Sequence, residues 1–271
     1  MEENRKRIDA LMVSLGVAPS REKAKEMIKS GNVYLNGKVV SKAGLLASDC
    51  DIIEYKGESE RYVSRGGLKL EKAVDVFKLD LNGYLCIDIG ASTGGFTDCM
   101  LQNGAKKVYA VDSGSGQLSP KLKFDHRVID LEKTNFRYIT EKEIPECADF
   151  ASADVSFISL KYILPALSPL LKDGGSAVCL IKPQFEAGRE NVGKKGVVKD
   201  QRVHIKVIEN VCSYAVQAGF SVSALDFSPV KGPEGNIEYF VYLKKDEVQS
   251  VSAPDVAGVV SAAHACFKAG E

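Results

Sequence analysis

LCIDIGASTGGFT, residues 85–97, is the most informative segment of the sequence for predicting its fold. Its first half is a near-continuous apolar run, which is what a strand buried on both faces requires. Its second half is a glycine-rich turn, and the residues beyond the turn have the pattern of a helix. A strand, a tight turn and a helix in this order predict the first unit of an α/β domain.

The segments after this unit continue the alternation of strand and helix patterns. A helical periodicity covers 201–219, and two late strands, 221–230 and 236–245, are joined by a Pro/Gly loop. This order predicts a doubly wound, mainly parallel sheet, and the last two strands predict a terminal antiparallel hairpin because no helix separates them. The other strand-like runs are KKVYAVDSG (106–114), RVIDLEK (127–133), DFASADVSFISL (149–160) and GGSAVCLIKP (174–183).

The N-terminal residues have a different, α+β pattern. Apolar side chains at positions 8, 11, 12 and 15 have helical spacing, and Gly16 is placed to end that helix. A second helix is predicted from Ser20, an N-cap residue type, to near Gly31. Asn36-Gly37 between two β-branched runs predicts a hairpin, and 49–56 predicts one more short strand.

This N-terminal part is basic although the whole chain is neutral. The 271 residues include 36 Lys plus Arg and 36 Asp plus Glu, so the net charge is zero. Residues 1–45 contain nine Lys or Arg against five Asp or Glu, an excess of four positive charges. Neutrality excludes a uniformly polycationic RNA binder, but a basic helix face beside a hairpin can follow a phosphate backbone. The alternative is a solvated helix face without a ligand.

Composition also excludes several other classes of protein. No stretch approaches the ~18 apolar residues that span a bilayer, so we expect no stable membrane insertion. The seven cysteines and three histidines are scattered, so we predict neither a disulfide framework nor a metal site. We expect a reduced, cytoplasmic protein.

A cofactor crevice is expected at the carboxyl ends of the parallel strands. The turn has G-x-x-x-G-G spacing, which fits the dinucleotide fingerprint poorly, and it lacks the Lys of a P-loop. An acid before the turn and another after the next strand suit a cofactor with an amine and a ribose but no pyrophosphate, as in S-adenosylmethionine. A close-packed turn without a ligand is the alternative. The residues at or just past inferred strand ends are Asp88 to Thr97, Asp112, Asp130, Asp154 and Lys182.

Two lysines and two acids are the candidates for chemistry: Lys69, Asp154, Lys182 and Glu238. A lysine near a ribose hydroxyl can help to remove its proton if burial and a second cation lower the lysine pKa. The acids would hold the lysines in position, and in-line alignment of the oxygen is much of the remaining task. Solvated ion pairs at strand ends are the alternative.

The order of these motifs resembles a known family. RIDALMVSLG followed by SREKAKEMIKSGNVYLNGKVV is similar to the RNA-binding domain of ribosomal protein S4, over about residues 5–56. The K-D-K-E tetrad and DIGASTGGF resemble the FtsJ-type ribose 2′-O-methyltransferases. The fusion of the two, with SRGGLKL at the join, is similar to the TlyA family, some of whose members are labelled haemolysins. The resemblance implies a Rossmann-like class I methyltransferase fold and S-adenosylmethionine-dependent methylation of cytidine 2′-hydroxyls in ribosomal RNA of one or both subunits.

The resemblance also implies roles for individual residues. The tetrad would be catalytic, and structured RNA would be held by the second helix and the hairpin of the N-terminal domain. The implied cofactor contacts are Asp88, Gly90, Ser92, Gly94, Phe96, Thr97 and Asp112, with Asp130 on the adenine side. The implied RNA contacts are Arg21, Lys23, Lys25, Lys29, Asn36, Lys38 and Arg65. The family's linker can carry a tryptophan, whereas this chain has RYVS there and no tryptophan at all.

The sequence also predicts roles for a basic segment after Lys182 and for the C-terminal tail. FEAGRENVGKKGVVKD, residues 185–200, is Gly-rich and basic, so Arg189, Lys194, Lys195 and Lys199 could grip phosphates; a surface loop is the alternative. Phe185 is expected to pack in the core rather than stack on a displaced base. The C-terminal tail is predicted to be a helix that buries Val256, Val259 and Val260.

These patterns predict an RNA-binding domain over 1–58, a linker over 59–65 and a methyltransferase domain over 66–271. The competing hypotheses are a membrane-active cytolysin, which would need a signal or a strongly amphipathic segment, and a ribosome-binding factor with a dead catalytic site. The sequence does not identify the target nucleotide, the ribosomal subunit or the oligomeric state.

Overall fold

The computed structural model describes residues 5–18, 20–57, 61–246 and 254–268, and the chain divides into two compact units, Met1–Glu60 and Arg61–Glu271. Residues 59 and 60 of the predicted linker, and residue 58 at the end of the predicted RNA-binding domain, therefore lie outside the described residues. The first unit contains β1 (Lys6–Arg7), α1 (Ile8–Ser14), α2 (Arg21–Lys29), β2 (Val33–Leu35), β3 (Lys38–Val39), β4 (Leu46–Ala47) and β5 (Ile53–Tyr55).

The local chemistry of the first unit explains its elements. The Ser20 hydroxyl accepts a hydrogen bond from the backbone N–H of Lys23 and caps α2. Asn36 and Gly37 both have positive φ, +50° and +79°, so they form the tight turn that joins β2 to β3. β2 pairs with β3 and β5, while β1 pairs with β4, all antiparallel. The first helix ends earlier than its spacing suggests, since Leu15 follows α1 and is 49% exposed.

The second unit is a seven-stranded sheet with helices on both faces. Its strands are β6 (Leu85–Ile89), β7 (Lys107–Val111), β8 (Val128–Leu131), β9 (Ala148–Ala153), β10 (Leu171–Ile181), β11 (Ser221–Phe227) and β12 (Tyr239–Lys244). Its helices are α3 (Gly66–Phe77), α4 (Gly95–Gln102), α5 (Pro120–Lys123), α6 (Leu164–Leu167), α7 (Pro183–Glu186), α8 (Gln201–Gln217) and α9 (Val256–Lys268), with 3₁₀ turns at Phe136–Tyr138, Leu160–Tyr162, Ser168–Leu170 and Arg189–Asn191.

The strand order is β11-β12-β10-β9-β6-β7-β8. The strands from β8 to β10 are parallel, and β12 runs antiparallel to both β10 and β11. The predicted doubly wound sheet with a terminal antiparallel hairpin is confirmed. All five residues of β6 are buried, as its apolar run predicts, and they alternate between two cores: Ile87 and Ile89 in one, Cys86 in the other.

The first and the last helix of this unit, α3 and α9, pack against different parts of it. The sequence pattern does not predict α3, which carries Lys69 and packs against α4. The tail helix α9 packs against α8 and β11, where Val260 is buried and Val256 and Val259 are partly buried at the core edge. Lys69 extends from α3 to the ends of the strands, where it contacts Asp154 and Glu238.

Candidate active site

Four charged side chains from distant parts of the second unit meet beyond the ends of the strands. Lys69 lies on α3, Asp154 just past β9, Lys182 just past β10 and Glu238 just before β12. The Lys69 ammonium donates to Glu238 Oε2 at 2.7 Å and lies 3.6 Å from Asp154 Oδ2. Lys182 Nζ lies 2.6 Å from Asp154 Oδ1. We call these residues the four-charge cluster; Asp154 bridges its two lysines.

The cluster is largely removed from water. The side chains of Lys69, Asp154, Lys182 and Glu238 are 11%, 18%, 10% and 1% exposed. The Oε1 atom of Glu238 is buried and has no hydrogen-bond partner among the described residues. Ion pairs at such sites are screened less than surface pairs, so the alternative of solvated ion pairs does not describe this arrangement.

The pKa values in the cluster correct one expectation. Burial opposes the charge of Lys69, but the carboxylates of Asp154 and Glu238 outweigh it and raise the pKa of the Lys69 ammonium. The expectation that a second cation and burial lower this lysine pKa is therefore wrong for Lys69. Burial raises the pKa of the Glu238 carboxyl, although Lys69 and Lys182 offset part of that effect.

Two cavities meet at the cluster. One, of about 480 Å³, is lined by the glycine turn, Asp112, Gln117, Asn135 and Phe157. The other, of about 450 Å³, is lined by Arg65, Lys231 and all four cluster residues. Four residues line both cavities: Gly90, Ser92, Asp154 and Ser156. The volumes are those of small-ligand pockets, so two molecules could lie side by side with Asp154 between them.

The glycine turn brings backbone close to Asp154. Gly90 has φ +84°, and a Cβ at this position would lie 2.6 Å from the Asp154 carbonyl oxygen, so only glycine fits. Ser92 also has positive φ, +48°, and its N–H donates to Asp112 Oδ2 at 2.8 Å. The other oxygen of Asp112 accepts from the N–H of Gly114 at 2.7 Å. Asp112 thus fixes the turn from one wall of the 480 Å³ cavity.

Comparison with known proteins shows the family to which the chain belongs. The FtsJ-like methyltransferase family matches residues 62–245, and the S4 domain matches residues 6–53. The 16S/23S rRNA (cytidine-2′-O)-methyltransferase TlyA of Mycobacterium tuberculosis is 40% identical over 98% of both chains. Hemolysin A of Brachyspira hyodysenteriae is 44% identical over 87% of this chain and 98% of its own. A solved structure from Streptococcus thermophilus, also named a hemolysin, is 49% identical, has a TM-score of 0.78 and covers 99% and 98% of the two chains.

The chain belongs to the TlyA family, an S4 domain followed by an FtsJ-like methyltransferase domain. The enzyme class predicted from the sequence is confirmed.

The predicted cofactor residues of this TlyA chain divide into two groups. Gly90, Ser92, Phe96 and Asp112 line one or both cavities, and Gly94 forms the turn at φ +93°. The remaining predicted cofactor residues, Asp88, Thr97 and Asp130, do not line either cavity. Asp88 and Thr97 are fully buried, and Thr97 Oγ1 donates to Asp88 Oδ2 at 2.6 Å. Asp130 lies within β8, and its carboxylate is 3.5 Å from Lys123 Nζ.

Asp88 therefore supports the turn from beneath and lines neither cavity. Its second oxygen accepts from the Ser152 hydroxyl at 3.2 Å. Burial raises the pKa of Asp88 to about 7, although the hydrogen bonds from Thr97 and Ser152 lower it. A sequence pattern finds an acid at the strand end, but it does not tell whether the side chain faces the interior.

In the S4 domain, most of the predicted RNA contacts are exposed. Arg21, Lys25, Lys29 and Lys38 are exposed, and Lys23 is half-buried. Asn36 differs, because its side chain is engaged in the hairpin: its Nδ2 donates to Asp51 and its Oδ1 accepts from the N–H of Ile52. In the structure, the Asn36 side chain therefore stabilises the hairpin turn.

The basic segment after Lys182 is exposed but anchored. Arg189, Lys194, Lys195 and Lys199 are all exposed. At its base, Asn236 accepts from the N–H of Val198 at 3.0 Å and donates to the Gly196 carbonyl at 2.8 Å. His204, buried on α8, lies 3.0 Å from the Val198 carbonyl. The segment is thus tied to the residues that precede Glu238.

Sequence reasoning missed several side chains at the cavities. Ser156 accepts from Lys182 Nζ at 3.0 Å, and Phe157 is 91% exposed with φ +63°. Phe185, expected in the core, is half-buried, with its ring centroid 4.9 Å from that of Phe157. The signal that could have found Ser156 and Phe157 is their position shortly after Asp154 at a strand end.

The longest described helix, α8, has 17 residues, and none of the described helices combines the length and apolar character of a bilayer crossing. Within the described ranges, no three His, Cys, Asp or Glu side chains are grouped as metal ligands.

Proposed function

We propose that this protein transfers the methyl group of S-adenosylmethionine to the 2′-hydroxyl of cytidine in ribosomal RNA of the small subunit, the large subunit or both. The observation that carries the proposal is the buried four-charge cluster in the wall between two cavities. One cavity would take the cofactor and the other the target nucleotide. Relatives named as rRNA (cytidine-2′-O)-methyltransferases support the choice of cytidine and of ribose.

The 480 Å³ cavity suits S-adenosylmethionine. Gly90 and Ser92 of the glycine turn line this cavity, and the Asp154 backbone packs closely against Gly90. Asp112, Gln117 and Asn135 offer polar groups for a ribose and a base, and the turn has no Lys for a pyrophosphate. Bound there, S-adenosylmethionine supplies the methyl group. We assign Gly90, Ser92, Gly94, Phe96 and Asp112 to its binding, and Asp88, Thr97 and Asp130 to supporting positions around it.

The four-charge cluster would act on the acceptor hydroxyl. Lys69 stays charged beside its two carboxylates, so its ammonium orients and stabilises the oxygen as negative charge develops. Lys182 would take up the proton of the 2′-hydroxyl as it passes one of its own protons to Asp154, whose Oδ1 lies 2.6 Å away. Asp154 contacts both lysines and Glu238 fixes Lys69, so the acids set the spacing of the two nitrogens. Alignment of the oxygen with the methyl group is the main contribution.

RNA would be held mainly through its phosphates. We assign residues 1–58 to RNA binding, 59–65 to a linker and 66–271 to methyl transfer. In the methyltransferase domain, Arg65 lines the 450 Å³ cavity and offers a guanidinium to the target nucleotide. The other proposed phosphate contacts are Arg21, Lys23, Lys25, Lys29, Lys38, Arg189, Lys194 and Lys195. With ribosomal subunits as its partners, the protein would act in the cytoplasm.

The experiment is a map of ribose methylation in ribosomal RNA by mass spectrometry, from cells with and without this protein. We expect at least one 2′-O-methylcytidine that disappears without the protein and returns when the wild-type chain is supplied. A chain carrying Lys182→Ala should not restore it. Identical maps in the two cell types would overturn the proposal and favour a ribosome-binding factor without catalysis.

A further inference from the structure

The loop after β9 is held along its length by the short segment that follows β10. At the start of the loop, Lys182 contacts Asp154 at 2.6 Å and the Ser156 hydroxyl at 3.0 Å. In the middle, the rings of Phe157 and Phe185 are 4.9 Å apart. The two polypeptide segments, 154–160 and 182–186, therefore run together beside the cavities.

Glu186 closes the far end of this contact. Its Oε2 accepts from the Ser159 hydroxyl at 2.6 Å, and its Oε1 accepts from the N–H of Leu160 at 2.8 Å. Both carboxylate oxygens are thus used, and the Leu160 N–H that opens a 3₁₀ turn is satisfied. Burial raises the pKa of Glu186, partly offset by these two hydrogen bonds. Glu186 lies four residues after Lys182, so one segment grips the loop at both ends.

The loop needs such support because its backbone is strained. Phe157 has φ +63°, a conformation that bulky residues rarely adopt and that persists only when neighbouring contacts determine it. Asp154 lies three residues before Phe157 and contacts both lysines of the four-charge cluster. A shift of the loop would change the distances among these charged groups.

We propose that Glu186 is a positioning residue for methyl transfer: by holding Ser159 and Leu160 it fixes the loop that places Asp154 between Lys69 and Lys182. Glu186 lines neither cavity and contacts none of the four cluster residues directly among the described contacts, so it acts through the loop. The inference rests on the proposed function, because the reaction it serves is that transfer.

The test measures kcat and the KM for RNA with tritiated S-adenosylmethionine and ribosomal subunits from cells that lack this protein. Glu186→Gln keeps the volume but loses one acceptor, and Ser159→Ala removes the matching donor. We expect each to lower kcat about 10-fold, with the KM for RNA within threefold. The melting temperature should be nearly unchanged for Glu186→Gln and slightly lower for Ser159→Ala, which also removes the acceptor for the Lys161 N–H. Ser159→Thr, which keeps the hydroxyl, should restore kcat, and Glu190→Gln, at an exposed acid nearby, should have no effect.

The double variant decides whether the two residues act as a unit. If Glu186 acts through Ser159, Glu186→Gln with Ser159→Ala should be no slower than the slower single variant. Fully multiplicative losses, or a folded Glu186→Gln variant with wild-type kcat, would overturn the inference. If Glu186→Gln does not fold, the comparison of Ser159→Ala with Ser159→Thr decides alone. A wild-type protein that methylates no RNA would instead overturn the proposed function.

Discussion

The two units each contain a cluster of two cations bridged by a carboxylate, and the clusters differ in their exposure to water. In the S4 domain, Asp9 is fully buried, whereas the side chains of its partners Arg7 and Arg21 are each 51% exposed. We call these three residues the arginine cluster. In the methyltransferase domain, the two lysines themselves are buried, at 11% and 10% exposure.

This difference in burial suggests a difference in role. The hydrogen bond from Arg7, together with Arg21 and against the effect of burial, lowers the pKa of Asp9 to about 2, so this acid stays ionised and holds both guanidiniums. Their outer faces remain in water, where they can meet a phosphate backbone. The buried ammonium groups of the other cluster interact in a medium of lower dielectric, which strengthens their effect on a reacting hydroxyl. The same charge types thus suit binding in one unit and chemistry in the other.

The largest effect should come from Lys182→Ala. This variant removes the proposed proton acceptor and leaves Asp154 with one partner, so methyl transfer should fall by about 1000-fold or more. Cofactor affinity, measured by calorimetry, should stay within threefold of wild type. The matched control, Lys206→Ala, changes a lysine that is 71% exposed on α8 and should be fully active. Full transfer by Lys182→Ala would remove Lys182 from the mechanism.

Glu238→Gln should have the next largest effect. The amide keeps the shape but loses the negative charge that holds Lys69 at 2.7 Å, so we expect kcat to fall about 100-fold. Glu234→Gln, at an exposed acid of the same loop, is the control. Equal rates for the two variants would show that the buried carboxylate does not contribute to the reaction.

Arg21→Ala tests the proposed role of the arginine cluster in RNA binding. We expect the Kd for ribosomal RNA to rise about 5-fold and the salt slope of binding to become shallower by about one, as for the loss of one phosphate contact. The turnover of bound RNA should be unchanged, because the arginine cluster is not part of the reaction. Arg202→Ala, at a side chain that is 91% exposed in the other unit, is the control. A lower kcat with unchanged Kd would contradict the division of roles.

The smallest effect concerns Asp88 and appears in stability against pH. Its pKa is raised to about 7, so the favourable protonated state is lost, and stability falls, as pH rises from about 4 through about 7. Asp88→Asn removes this titration. Relative to wild type, the variant should therefore be more stable at pH 8 than at pH 5, as measured by thermal melting, with Asp173→Asn at a 94% exposed position as control. A difference that does not change with pH would contradict the raised pKa.

Sequence patterns predicted much of this molecule because its decisive contacts are local or follow from topology. Apolar runs such as 85–89 predict buried strands, and the carboxyl ends of parallel strands meet at one edge, so Asp154 and Lys182 were expected at the same crevice. The direction in which a side chain points does not follow from the pattern. Asp88 turns inward to Thr97 and Ser152, and Asn36 turns to Asp51 and Ile52, which spacing alone does not predict.

Long-range pairings account for two of the remaining errors and omissions, and a local signal accounts for a third. The raised pKa of Lys69 depends on Glu238, 169 positions away, and the pairing of Glu186 with Ser159 spans 27 positions. Helix α3 was missed because its N-terminal SRGG run is typical of a turn rather than a helix. In each case the tertiary structure decides which of several locally acceptable arrangements forms.

The most direct test of the account uses the resistance of 2′-O-methylated RNA to alkali, since strand cleavage by base needs a free 2′-hydroxyl. Unmethylated ribosomal subunits are labelled with tritiated S-adenosylmethionine by the wild-type protein, and the purified RNA is hydrolysed in alkali and separated by size. We predict that the label appears in alkali-resistant dinucleotides and that Lys182→Ala incorporates none. Label in mononucleotides, which would place the methyl group on a base, would contradict a cluster that acts on a sugar hydroxyl.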